Sequence, residues 1–151
     1  MNGPFSRIAR RIGALLSFIP FLFTGGCTTF NHDWKQAAGR PTPSDLEGRW
    51  QGVWVSDVNH HTDQLRCVIT KKADGVYRAR FHAKYHKVLS FGYTVPLNVE
   101  PGTSPAKFSG EADLGFLAGG VYHYEGHADA TNYFSTYSCK YDHGTFQMTR
   151  P

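Results

Sequence analysis

From Leu46 onward, apolar and polar positions alternate with a period of two, and no stretch repeats apolar residues at helical spacing over the ~11 positions that would predict a helix. The clearest run sets Tyr77, Ala79, Phe81, Ala83 and Tyr85 on one face against Arg78, Arg80, His82 and Lys84 on the other. This is the signature of a strand with one packed face and one wet face. Leu89, Phe91, Tyr93, Val95 and Leu97 repeat it, as do Phe108, Gly110, Ala112 and Leu114, and then Tyr122, Tyr124, Gly126 and Ala128. Glu47–Ser56, Gln64–Thr70, Tyr133–Lys140 and Thr145–Arg150 complete a set of eight predicted strands. Short links rich in Gly, Pro, Asp and His separate them. Among these, Asp74-Gly75 is the strongest hairpin signal and predicts a type I′ turn.

Short links between consecutive strands favour antiparallel neighbours. Eight such strands with one apolar face each close most economically into a single up-and-down barrel, because closure leaves no exposed edge and surrounds the apolar face. The fold class is therefore all-β, with an open β-sandwich as the alternative. Pro96 cannot donate to a ladder, so its strand needs a bulge, an edge or a gap beside it.

The first 26 residues read differently. Arg7, Arg10 and Arg11 precede an apolar run from Ile12 to Phe23, with no acid before Asp33. This is the n-region and h-region of an export signal, and Pro20 and the short run fall below the ~20 residues of a spanning helix, which is the alternative. The following Thr24-Gly25-Gly26-Cys27 resembles the lipobox of bacterial lipoproteins. The resemblance implies a signal peptide over 1–26, removal of that peptide, and acyl chains on Cys27 holding the protein to a membrane. With Thr28 rather than Asp after the cysteine, it implies the outer membrane, facing the periplasm. Secretion or inner-membrane anchoring are the alternatives. Residues 27–45, ending in Gly39-Arg40-Pro41-Thr42-Pro43-Ser44, read as a flexible tether, with Trp34 suited to docking on the domain. The domain itself is 46–151.

A second resemblance concerns the barrel. Gly48-Arg49-Trp50 in the first strand and Arg150 in the last resemble the pattern of the lipocalin and avidin superfamily. There a Gly-x-Trp opens the first strand, and an arginine from the end of the barrel lies over the indole. The resemblance implies a closed calycin-type barrel, with Gly48, Trp50 and Arg150 at its closure.

Composition narrows the function. Charged residues are 19% of the chain and aromatic residues 15%, which argues against both disorder and a helical bundle. Three of the four formal positive charges belong to the leader, because without its three arginines thirteen basic residues face twelve acidic ones. A nearly neutral domain has no basic field for nucleic acid. There is no Gly-x-Ser-x-Gly elbow, His-Glu-x-x-His or phosphate loop, and Glu111 and Asp113 point outward, so the reading is non-enzymatic with no catalytic residue and no cofactor. His60 and His61 share a loop with Asp57 and Asp63, while His82, His123 and His127 lie on outward faces. These histidines read as solvated, with no metal site. Cys67 and Cys139 are the thiols left once Cys27 is assigned to lipid, either bridged as a disulfide or separately buried.

The inward aromatic residues Trp54, Tyr77, Phe81, Tyr93, Tyr122 and Tyr124 either fill the barrel or line a cavity. The first expectation for function is non-catalytic binding of a small apolar or aromatic ligand. The alternative is an envelope structural or protein-interaction module with a solid barrel core.

Overall fold

A computed structural model describes residues 25–41 and 46–151; of the predicted leader over 1–26 only Gly25 and Gly26 are among the described residues, and the Cys27 side chain lies outside them. A helix, α1 (Gly25–Ala38), precedes eight strands: β1 (Gly48–Ser56), β2 (Thr62–Ala73), β3 (Val76–Tyr85), β4 (Leu89–Val99), β5 (Ala106–Asp113), β6 (Val121–Ala128), β7 (Asn132–Ser138) and β8 (His143–Thr149). Each strand pairs antiparallel with its sequence neighbours, and β8 returns to β1, so the sheet is a closed up-and-down barrel rather than an open sandwich. Alternation produces the core directly. Trp50 stands opposite Cys67, Cys67 opposite Phe81, and Phe81 opposite Tyr93, so one layer of inward side chains passes around four strands. No helix among the described residues is long and apolar enough to cross a membrane.

The ring is weakest between β4 and β5. Ten residue pairs join β3 to β4, whereas β4 and β5 pair only at Leu97–Gly110, Asn98–Ser109 and Val99–Phe108. Residues Leu89 to Pro96 therefore have a ladder partner on one side only. Pro96, with no N–H to donate, sits where β4 leaves β5.

Turn chemistry departs from the sequence expectation. At Asp74-Gly75 only Gly75 has a positive φ, 71°, and the β2–β3 register shifts between Lys71 and Ala73. A type I′ turn needs positive φ at both central residues, so this hairpin closes with an irregularity in the ladder instead. Two consecutive left-handed residues occur at His86 and Lys87, with φ of 51° and 61°, where neither residue type announces them.

The expected tether over 27–45 is helical as far as Ala38, within α1, and it is docked, while 42–45 lie outside the described residues. Phe30 and Trp34, four apart, share one helical face, and their rings lie 6.0 Å apart. Phe30 is 1% exposed and stacks on the His82 ring at 4.9 Å. The Arg66 guanidinium covers both aromatics, 5.2 Å from Phe30 and 5.3 Å from Trp34, and Arg49 lies 5.1 Å from Trp34. Asp33 pairs with Arg80, and although burial opposes it, that cation keeps the carboxyl below its ordinary pKa. The basic outer face of β1, β2 and β3 thus serves as a seat for the aromatic face of α1 and its Asp33. His82 is outward on its strand but buried beneath α1 rather than solvated, and burial, then the charges of Arg66 and Lys84, lower its pKa.

Cys67 and Cys139 are both free thiols, which corrects the disulfide alternative. Cys67 is buried inside β2, and burial pushes its pKa well up. Cys139 follows β7, where its Sγ lies 2.9 Å from the position a Cβ on Gly119 would take. Strands β2 and β7 are not neighbours in the ring, and the two thiols are not joined. Alkylation of the denatured, unreduced protein should accordingly label both thiols. Two protected thiols recovered only after reduction would restore the bridge.

Candidate functional site

The two ends of the barrel differ. The end bearing the β2–β3, β4–β5 and β6–β7 links is plugged. Trp50 is fully buried, its Nε1 donates to the Leu46 carbonyl at 2.9 Å, and the Arg150 guanidinium carbon lies 3.8 Å from the centre of the Trp50 rings. Arg150 also donates to the Glu47 and Ala130 carbonyls, tying the chain end across the opening of β1. Gly48, with φ of 108°, begins the strand in a conformation that side chains rarely adopt. Tyr133 and Phe108 stack at 5.1 Å beside this plug.

The opposite end, formed by the β1–β2, β3–β4, β5–β6 and β7–β8 links, holds a cavity of about 210 Å³. Its walls are Trp54 and Tyr85 on one side, Phe91 and Tyr93 from β4, and Tyr122, Tyr137 and Phe146 from the later strands. Leu65, Ala83 and Leu114 fill the gaps between rings. Trp54 is fixed by a hydrogen bond from its Nε1 to the Lys84 carbonyl at 2.9 Å, and its ring stacks on Tyr85 at 6.2 Å. Above them His61 packs against Trp54, Tyr85 and His86 with centroid distances of 5.0, 4.6 and 4.6 Å.

The polar atoms of the cavity converge on one group. Asp142, in the β7–β8 turn, accepts from the Ser56 hydroxyl at 2.6 Å, from the Tyr137 hydroxyl at 3.1 Å and from the His143 N–H at 2.8 Å. Ser56 is buried, and its oxygen also receives the Val58 and Asn59 N–H groups, which shapes the β1–β2 loop. Tyr122 donates to the Ala118 carbonyl at 2.8 Å, pinning the helical turn Phe116–Ala118 over its own strand. Burial raises the pKa of Tyr93, Tyr122, Tyr124 and Tyr137, with Asp142 adding to the rise at Tyr137, so all four hydroxyls stay protonated at neutral pH. The cavity offers aromatic faces, neutral hydroxyls and one carboxylate.

The six aromatic residues singled out from the sequence divide three ways. Trp54, Tyr93 and Tyr122 line the cavity. Phe81 and Tyr124 are buried beneath it, stacked at 6.3 Å, and Phe81 supports Tyr93 at 5.2 Å. Tyr77 faces inward, but it lies near the start of β3 opposite Leu97, toward the plugged end and away from the cavity. Sequence reasoning missed Tyr137, Phe146 and Asp142 as lining residues. The alternation of Tyr133, Ser135 and Tyr137 carried a signal for the first, whereas Asp142 sits in a turn and reaches the cavity only through the fold. Among the described residues no three His, Cys, Asp or Glu side chains converge as metal ligands. His61 Nε2 is 3.9 Å from Asp63, and Asp63 accepts from the Gln64 and Lys87 N–H groups.

Several large apolar side chains at this end face solvent: Val58, Val88 (84% exposed), Leu89, Phe116, Leu117 (98% exposed) and Tyr141. Comparison of the chain with protein-family models, with curated proteins and with solved structures gives no match.

Proposed function

We propose that the chain is a bacterial envelope lipoprotein, held to the outer membrane by lipid on Cys27, whose calycin-like barrel binds a small apolar or aromatic ligand without transforming it. The cavity carries this reading. A dry cavity of ~150 Å³ is enough to admit benzene, so about 210 Å³ fits one substituted ring. The plug of Trp50 and Arg150 at the far end supports a one-mouthed container. Fixed hydrogen bonds at Trp54, Tyr122 and Tyr137 support a preformed site, which lowers the ordering cost of binding. A second reading, a protein-interaction module, draws support from the exposed Val88 and Leu117 around the same mouth.

Titration with toluene, followed by NMR, tests the pocket. Saturable shifts confined to Tyr85, Tyr93, Tyr122 and Phe146 are expected, and Ala83→Leu, which fills the cavity from its wall, should abolish them. Absence of saturable shifts, or shifts undiminished in Ala83→Leu, would remove the ligand reading in favour of the interaction module.

The anchor has its own test. Cys27→Ser should move the protein from the membrane to the soluble envelope fraction, because one acylated cysteine carrying several chains supplies the whole attachment. Retention on membranes through a carbonate wash would instead make the leader the anchor.

A further inference from the structure

We propose that the ligand of the cavity is an organic cation, a small ammonium bearing an aromatic or branched apolar group; this rests on the ligand-binding reading above. Asp142 is the one charged side chain in the cavity wall. Among the described residues, no Lys, Arg or His forms an ion pair with it. Its carboxylate is instead held by the neutral donors Ser56, Tyr137 and the His143 N–H, which orient it and leave its negative charge uncompensated. A carboxylate presents about four lone-pair sites, and these three bonds leave room for one more donor.

A neutral apolar ligand would strip water from that carboxylate and return nothing, which is costly. An anion would be repelled by it. A cation restores the lost interaction with a charge-assisted hydrogen bond, and the surrounding rings add to it, since aromatic faces attract cations within ~6 Å of their centres. Tyr122 and Tyr137 already donate their hydroxyl protons, to Ala118 and Asp142, so what they offer a ligand is ring face and oxygen lone pairs rather than donors. The charges around the mouth are nearly balanced, with Asp57, Asp63, Asp113 and Asp142 against Lys84, Lys87 and Lys140 and with His60, His61, His86 and His143 beside them, so the preference for a cation rests on Asp142 in the cavity wall.

Calorimetric titration of the purified full chain at pH 7 with three probes of one size decides the matter: benzylammonium, benzyl alcohol and benzoate. Benzylammonium is expected to bind at least tenfold tighter than benzyl alcohol, with benzoate silent. In Asp142→Asn, which keeps the side-chain shape, the ratio of benzylammonium to benzyl alcohol affinity should fall toward one. Benzyl alcohol binding as tightly as benzylammonium, or the ratio persisting in Asp142→Asn, would overturn the assignment of charge while leaving the pocket standing. Silence of all three probes together with toluene would overturn both the pocket and its ligand class.

Discussion

Trp50→Ala is expected to lower the unfolding free energy in urea by ~3–5 kcal/mol, the transfer and cavity cost of a large buried aromatic. The indole is fully buried, it supplies the donor for the Leu46 carbonyl, and Tyr133 packs on it at 5.7 Å. The Arg150 guanidinium over it is held by carbonyls on two sides, which keeps that group from settling into the vacated space. Arg150→Ala should cost about 1–2 kcal/mol, from lost stacking and lost packing of its stem. With the two groups 3.8 Å apart, the double variant should lose less than the sum of the singles. Additive losses would mean that the plug is two unrelated contacts.

Gly144→Ala should be comparably severe, about 3 kcal/mol or more, through overpacking rather than a void. A Cβ at this position would stand 1.9 Å from the Val55 carbonyl oxygen, and Gly144 pairs with Ser56 across the seam where β8 closes on β1. A backbone oxygen in a ladder cannot swing aside as a side chain can, so β8 must part from β1 or the whole turn must shift. The turn carries Asp142, so the same variant should also weaken toluene binding. Gly102→Ala provides the comparison. Its φ of 72° is left-handed, as that of Gly144 is not, but nothing lies within 4 Å, so only the ~1 kcal/mol conformational penalty should appear. Equal effects of the two alanines would mean that the β1–β8 seam yields to the added methyl at little cost, against the overpacking argument.

The barrel was legible because a strand pattern needs only alternation, and the inward residues of β3, Tyr77 through Tyr85, read correctly from that rule. Alternation names the face of a residue but not its height along the barrel axis. Tyr77 and Tyr85 share a face, yet one lies toward the plug and the other lines the cavity. Height depends on register and on which links form which end, and those emerge only when the ring closes. α1 was illegible for a different reason. Phe30 and Trp34 alone make too thin an apolar stripe to predict a helix, and its stability comes from docking on Arg49, Arg66 and Arg80, residues distant in sequence. The disulfide alternative came from counting thiols in an exported chain, a rule blind to the three steps around the ring, through β1 and β8, that separate β2 from β7.

The short β4–β5 ladder gives the barrel a split cuff. A fully laced ring breathes only by losing pairs on both sides of a strand, but the upper part of β4 is laced to β3 alone. Fluctuations should concentrate there, and amide hydrogen exchange in Leu89–Thr94 should run faster than in β2 or β3, which are laced on both sides. Phe91 and Tyr93 hang from that free margin into the cavity. Outward flexing of the margin would widen the chamber without disturbing the Trp50 plug, which makes the slit the side at which the proposed ligand would leave while the rest of the cylinder keeps its shape.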